Sequence, residues 1–427
     1  MDRYLTDKTG FYPANILLPD GQNWNQWAVV ACDQFTSDPE YWESVKQHVG
    51  ASPSTLNLII PEVFLNASDL DERILKVNQK MDDYLKQGIF HKIPSSMIYV
   101  ERTQSDGSIR HGLIGMIDLE QYEFAPGNKA LIRATEGIVS SRIPPRVHVR
   151  TDASLELPHV MLLIDDFQNS VIGPLTEASD YMKKLYDFEL QQDGGHIKGF
   201  QIRPEDMEVV EKNLAALATS QMMEAKYGVR EKAPMLFAVG DGNHSLATAK
   251  KCYEIQKECT PKEEWDKLPL RHALVEVVNL HDEALQFEPI HRVLFNVNPQ
   301  EVIRALHEYY PDAYEGTGEG QVIQYCYGSA NGSITIPHPA MQLAVGTLQR
   351  FLDAYVEGNP VEMDYIHDEE EVRRLCSESG NLGFLLPAMK KEELFRTVIH
   401  DGILPRKTFS MGHAADKRYY IEARKIR

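Results

Sequence analysis

The sequence predicts a mixed α/β fold. Short apolar runs alternate with longer stretches whose apolar residues recur three and four positions apart. Several of the runs stop at acids or glycines, which punctuate strand ends. At 427 residues the chain exceeds one ordinary core, so more than one domain is expected.

The elements follow in chain order. "WAVVACD" (27–33) is a short apolar run ending in an acid and reads as a buried strand. "DPEYWESVKQHV" (38–49) places Pro39 at a helix start, with Trp42, Val45 and Val49 on one face. In 68–88, Ser68 or Asp69 caps a helix, Leu70, Ile74, Val77, Met81 and Leu85 form its stripe, and Gly88 stops it. "SMIYVERT" and "RHGLIGMIDLEQY" flank "QSDGS", a hairpin signal. "HVMLLIDD" (159–166) is a strand, and 203–228 reads as one long helix between Pro204 and Gly228. "MLFAVGD" leads through "GDGN" into an amphipathic helix carrying Leu246, Ala249 and Tyr253, and 270–280 is a β-branched strand. Beyond "NVNP" the texture changes to a glycine-punctuated hairpin (316–336) and a helix (340–358). A domain boundary is expected there, giving a core of 1–299 with inserted helices and a hairpin, and a smaller α/β part of 300–427.

Composition narrows the function. There are 63 acids against 44 bases, a net charge of −19, and such a surface repels nucleic-acid backbones. An anionic ligand then needs a local concentration of bases. The five cysteines, 32, 252, 259, 326 and 376, form no C-x-x-C pair, which argues against a disulfide framework or a cysteine zinc site. The opening residues lack the apolar core of a signal peptide and no stretch reaches membrane-span length, so a cytoplasmic protein is expected.

Six junctions hold chemistry-bearing residues. In "GDGNHS" a tight glycine turn sets Asp241 at a strand end, and Asn243 or Ser245 is placed to cap the helix. The helix start is an anion site, with Gly240 and Gly242 allowing close approach and His244 in the first turn. A turn with only local hydrogen bonds explains the same residues. In "LIRATEGIVSSRIPPRVHVR", Arg133, Arg142, Arg146 and Arg150 surround Thr135 and Glu136, and the two prolines suggest a loop. Arginine suits bidentate phosphate or carboxylate recognition, while pairing with surface acids is the plain alternative. "LQFEPIHRVLF" offers Glu288, His291 and Arg292, or a buried Glu288–Arg292 pair. Asp33 ends "ACD", His367 and Asp368 open an acidic helix start, and Lys407, Ser410 and His413 lie in a polar loop. There is no P-loop, no H-E-x-x-H and no G-x-S-x-G.

"ACDQFTSDPEYW", "RATEG…RIPPR", "VGDGNHSLATA", "LQFEPIHRVLF", "DYIHD" and "GF…ILPRKTF", in that order, resemble the bacterial and archaeal "domain of unknown function 1015" family over roughly residues 10 to 422. Members commonly read D-G-H-H-R where this chain has Asp241, Gly242, Asn243, His244 and Ser245. That element is similar to the one in free serine kinases of the ParB–sulfiredoxin superfamily, where the turn and helix bind nucleotide phosphates. The resemblance implies a ParB/sulfiredoxin-like core and a phosphotransferase acting on a small hydroxy amino acid, serine or O-phosphoserine. It implies Asp241 and His244 as catalytic residues, with Asp33 or Asp241 taking the hydroxyl proton and Mg2+ near Asp241. ATP, ADP or pyrophosphate is the implied phosphoryl partner. Ser245 departs from the family's arginine, so another arginine, Arg142, Arg146 or Arg292, must grip phosphate, or nucleotide binding is altered or lost. A phosphoserine hydrolase and a non-catalytic nucleotide-binding regulator are the alternatives, and the oligomeric state stays open.

Overall fold

The hairpin around "QSDGS" is the seed of the largest sheet. Ile98–Thr103 and Ile109–Asp118 pair antiparallel, with Thr103 opposite Ile109 beside the turn. The computed structural model describes residues 8–21, 23–230 and 234–427. The expectation about the opening residues therefore falls partly on positions 1–7, outside the described residues. The chain divides into two compact units, Met1–Leu285 with His413–Arg427, and Gln286–Gly412. The division falls at Leu285, earlier than the 298–300 expected, and the last fifteen residues belong with the first unit.

Among the described residues of the first unit, ten strands form one mixed sheet. Its order is Lys183–Glu189, His196–Gln201, Ile98–Thr103, Ile109–Asp118, His272–Asn279, Met161–Ile164, Phe237–Asp241, Ile132–Ala134 and Tyr122–Glu123, with Phe11–Tyr12 beside Ile109–Asp118. Phe237–Asp241 runs parallel to Ile132–Ala134 and antiparallel to Met161–Ile164. One sheet edge therefore collects the carboxyl ends of two strands and the amino end of a third. Thr135, Asp241 and His159 meet there for that reason. Phe237, Ala238 and Val239 are fully buried, as a strand covered on both faces requires.

Four local expectations need correction. Residues 27–33 are not a strand: Asn23 caps a short helix, Trp24–Trp27, and the apolar run continues with one bridge, Val30 to Tyr419. An apolar run reports burial, and Trp27 to Val30 are fully buried, but burial does not supply ladder partners. The long helix of 203–228 is two, Pro204–Leu217 and Ser220–Tyr227, because the Thr219 hydroxyl caps a new start. "IPPR" opens a helix, Ile143–Thr151, rather than a loop, since proline fits the first turn where no N–H is needed. The helix Asn243–Glu258 starts from Gly242 at φ 79°, and neither Asn243 nor Ser245 caps it.

The second unit holds a six-stranded antiparallel sheet ordered Tyr314–Glu315, Ala330–Ile336, Gln321–Tyr327, Leu382–Leu385, His291–Phe295 and Glu362–Ile366. The predicted hairpin is there, and the 340–358 helix spans Ala344–Gly358. Asp368 caps Glu369–Cys376 by accepting the Glu370 N–H. None of the described helices is long and apolar enough to cross a membrane.

Candidate functional site

The turn after Phe237–Asp241 sets the geometry. The ladder slips between Val239 and Asp241, so Asp241 faces Met161. Gly242 reverses the chain in the left-handed region, where a Cβ would lie 3.0 Å from the Val160 Cα and 3.2 Å from the His159 carbonyl oxygen. Glycine is needed for both the angle and the space. Gly242→Ala is expected to cost about 1–3 kcal/mol of stability, read as a lower urea midpoint at unchanged slope.

Asn243 faces backwards from the first turn. Its Oδ1 accepts the Thr135 N–H at 3.1 Å, while the Thr135 hydroxyl donates to the Val239 carbonyl at 2.6 Å. This lock ties the helix start to both parallel strand ends. It leaves the helix N-terminus with no side-chain cap, so its N–H groups and dipole favour an anion.

Around that N-terminus the charges are arranged in pairs. Lys417 Nζ lies 3.0 Å from Asp241 Oδ2, and the Gly242 N–H donates to Oδ1 at 2.8 Å. Burial pushes the Asp241 carboxyl up, but the Lys417 charge and these hydrogen bonds outweigh it, holding the group below its usual range. His244 Nε2 accepts the Val139 N–H at 3.2 Å. Burial, with the nearby Arg146 and Arg142 charges, brings His244 down to about 4, so at neutral pH it is an uncharged acceptor. Arg146 donates to the Arg142 carbonyl at 2.8 Å and pairs with Glu62.

His159 is the residue that sequence reading missed. Its Nδ1 lies 2.9 Å from the Tyr420 hydroxyl and its Nε2 2.6 Å from Ser245 Oγ. Burial pushes Tyr420 well above its usual range, so it stays a phenol. Tyr420 also accepts the Cys32 N–H, at 3.2 Å. Asp33 Oδ2 stands 3.9 Å from Nε2, close enough for charge but not for a hydrogen bond.

Lys417 and Tyr420 are held by a pinned C-terminal segment. The Ser105 N–H and hydroxyl both donate to Asp416, at 2.8 and 2.7 Å. Arg418, 4 % exposed, lies between Glu276 and Glu422. The Tyr420 N–H bonds the Val29 carbonyl, and the Trp27 indole bonds the Ile421 carbonyl. Two buried carboxylates around one guanidinium fix this segment, and with it the site's cation.

The structure thus gathers Asp33, Asp241, His244, Ser245, Arg142 and Arg146. Other expected residues serve elsewhere. Arg133 is buried and donates to the Ala130 carbonyl, Thr135 belongs to the Asn243 lock, and Glu136 is half-buried in the following loop. Arg150 pairs with Glu156. In the second unit, Arg292 is fully buried, donates to Gln349, Ile290 and Arg406, and lies 4.7 Å from the Tyr365 ring. Its guanidinium is committed to structure, and the exposed Glu288 makes no buried pair with it. His291 Nδ1 accepts the Leu386 N–H, and Lys407 is exposed at φ 52°.

The Mg2+ expected near Asp241 would share that carboxylate with Lys417. Both carboxylate oxygens are engaged, one of them by a cation, and among the described residues no group of three or more His, Cys, Asp or Glu side chains is placed to hold a metal.

No curated protein matches the chain. Solved structures that do include a free serine kinase variant in complex with AMP, at 12% identity and TM-score 0.39, covering 73% of this chain and 91% of that one. A conserved hypothetical protein from Pyrococcus furiosus aligns at 12% identity and TM-score 0.35, covering 73% and 94%. SbnI with C-terminal truncation from Staphylococcus aureus aligns at 10% and 0.34, covering 70% and 82%. The family model described as "Protein of unknown function (DUF1015)" matches residues 13–376, and the chain belongs to that family.

Proposed function

We propose that this site transfers a phosphoryl group between a nucleotide and a small hydroxy amino acid, serine or O-phosphoserine. The observation that carries the reading is Lys417 seated on Asp241 at the mouth of an uncapped helix N-terminus. Phosphoryl transfer needs positioning and neutralisation of charge rather than covalent help. The helix N–H groups and Lys417 hold the phosphate that moves. Asp241, beside that phosphate, accepts the proton of the incoming hydroxyl. Asp33 faces the substrate ammonium, Arg142 its carboxylate, and the Ser245 hydroxyl one phosphate oxygen. Lys417 also answers the departure at position 245. Ser245 is bonded to His159, and the cation comes from the C-terminal segment instead.

The test combines thermal shift with a transfer assay on the intact chain. ATP, ADP or pyrophosphate is expected to raise the melting temperature, serine to raise it further, and label from γ-phosphate to appear on serine. Nucleotide stabilisation with no amino-acid response identifies a regulator. Phosphate release from O-phosphoserine without nucleotide identifies a hydrolase. No response to any of these ligands overturns the phosphate site itself.

A further inference from the structure

Behind the first turn of the Asn243 helix lies a cavity of about 160 Å3. Its wall is apolar, with Leu58, Ile60, Met81, Leu155, Leu246 and Ala249 among the lining side chains. Its polar lining includes Ser245, His159, Arg146 and Glu62, three of which already face the proposed site. Ser245 and His159 thus line both the cavity and the proposed site.

We propose that this cavity is a specificity subsite for an apolar substituent on the acceptor, so that the substrate is a hydroxy amino acid carrying a branched or aromatic group. The size is right: an apolar protein cavity of about 150 Å3 takes up benzene. Serine has nothing to place there. Of the polar groups in the lining, Thr248 donates to the His244 carbonyl and Glu156 holds Arg150 and Arg424, while Arg150 Nε has no hydrogen-bond partner. An arginine at 245 would project from the turn that lines this cavity. Serine leaves it open and ties its own oxygen to His159.

The substrate class rests on the phosphotransferase reading, whereas the cavity does not, and the experiment separates the two. Indole binding to the intact chain is measured by calorimetry, alongside Ala249→Leu, which adds bulk from the helix, and Leu65→Trp, which adds bulk at a second lining position outside that helix. Saturable binding by the wild type is expected, weakened at least about tenfold in whichever variant keeps its ATP thermal shift. In the transfer assay, kcat/KM for β-phenylserine is expected to exceed that for serine by at least about tenfold. Failure of the wild type to bind indole, or equal affinity in a folded filled variant, overturns the subsite. A preference for serine over β-phenylserine overturns its role in substrate choice. Indole binding with no transfer to any hydroxy amino acid keeps the cavity and sinks the phosphotransferase reading.

Discussion

Asp241→Asn is expected to lower kcat for transfer by about 10²–10⁴-fold, the range of a lost general base, while nucleotide binding stays or tightens. The two effects have opposite signs for a physical reason. An amide cannot take the hydroxyl proton, so the chemical step fails. The same change removes a negative charge beside the phosphate and frees the Lys417 ammonium, now 3.0 Å from that carboxylate, to pair with the nucleotide instead. Single-turnover kinetics and ATP calorimetry on the same preparation separate the terms. Retained kcat would remove Asp241 from the chemistry. Lost kcat with equally weakened ATP binding would make it a structural support of the turn. Asp33→Asn should behave differently, raising KM for the amino acid with little change in ATP affinity, because Asp33 faces the acceptor and not the phosphate in the proposed arrangement.

The parts of this site that were legible in the sequence are the ones built locally. Asp241, Gly242 and His244 fall within one strand–turn–helix junction, and the sharp end of an apolar run marks it. Arg142 and Arg146 stood out against an acidic background, although the two prolines misdirected the helix they sit on. His159, Tyr420 and Lys417 carried no local signal. His159 bonds to Ser245 across 86 positions and to Tyr420 across 261. Sheet order decides such contacts, and periodicity does not encode it. His159 is also at the amino end of its strand, where ligand sites are not expected in parallel sheets; the antiparallel pairing with Phe237–Asp241 brings it round. The fold class was legible because alternation of runs survives any topology. The return of residues 413–427 to the first unit was not, since a chain leaving and rejoining a domain leaves no compositional mark.

Lys417→Met tests the cation directly, with similar side-chain length and no charge. ATP affinity is expected to fall by about 10- to 100-fold, the worth of one charged hydrogen bond to phosphate. Lys417→Arg should recover much of it, because the charge returns although the geometry is a fork. The pH dependence gives a second, independent reading. In the wild type the Asp241 carboxyl sits below its ordinary value of 3.8. A carboxyl lowered on folding contributes stability that is fully present above its unfolded value and is lost as pH falls through its folded one. Without Lys417 the upward push of burial is no longer outweighed, so the carboxyl rises. On acidification the variant should therefore lose activity at a higher pH than the wild type, whereas its stability deficit is largest at neutral pH and shrinks as both carboxyls are protonated, so the stability profiles converge at the acid end. A calorimetric melting series from neutral pH downward, run on both proteins, measures this. Coincident acid limbs of activity, or a stability gap that does not change with pH, would mean that Lys417 does not govern Asp241, and would shift the phosphate-binding role to Arg142 and Arg146, whose charges already reach His244.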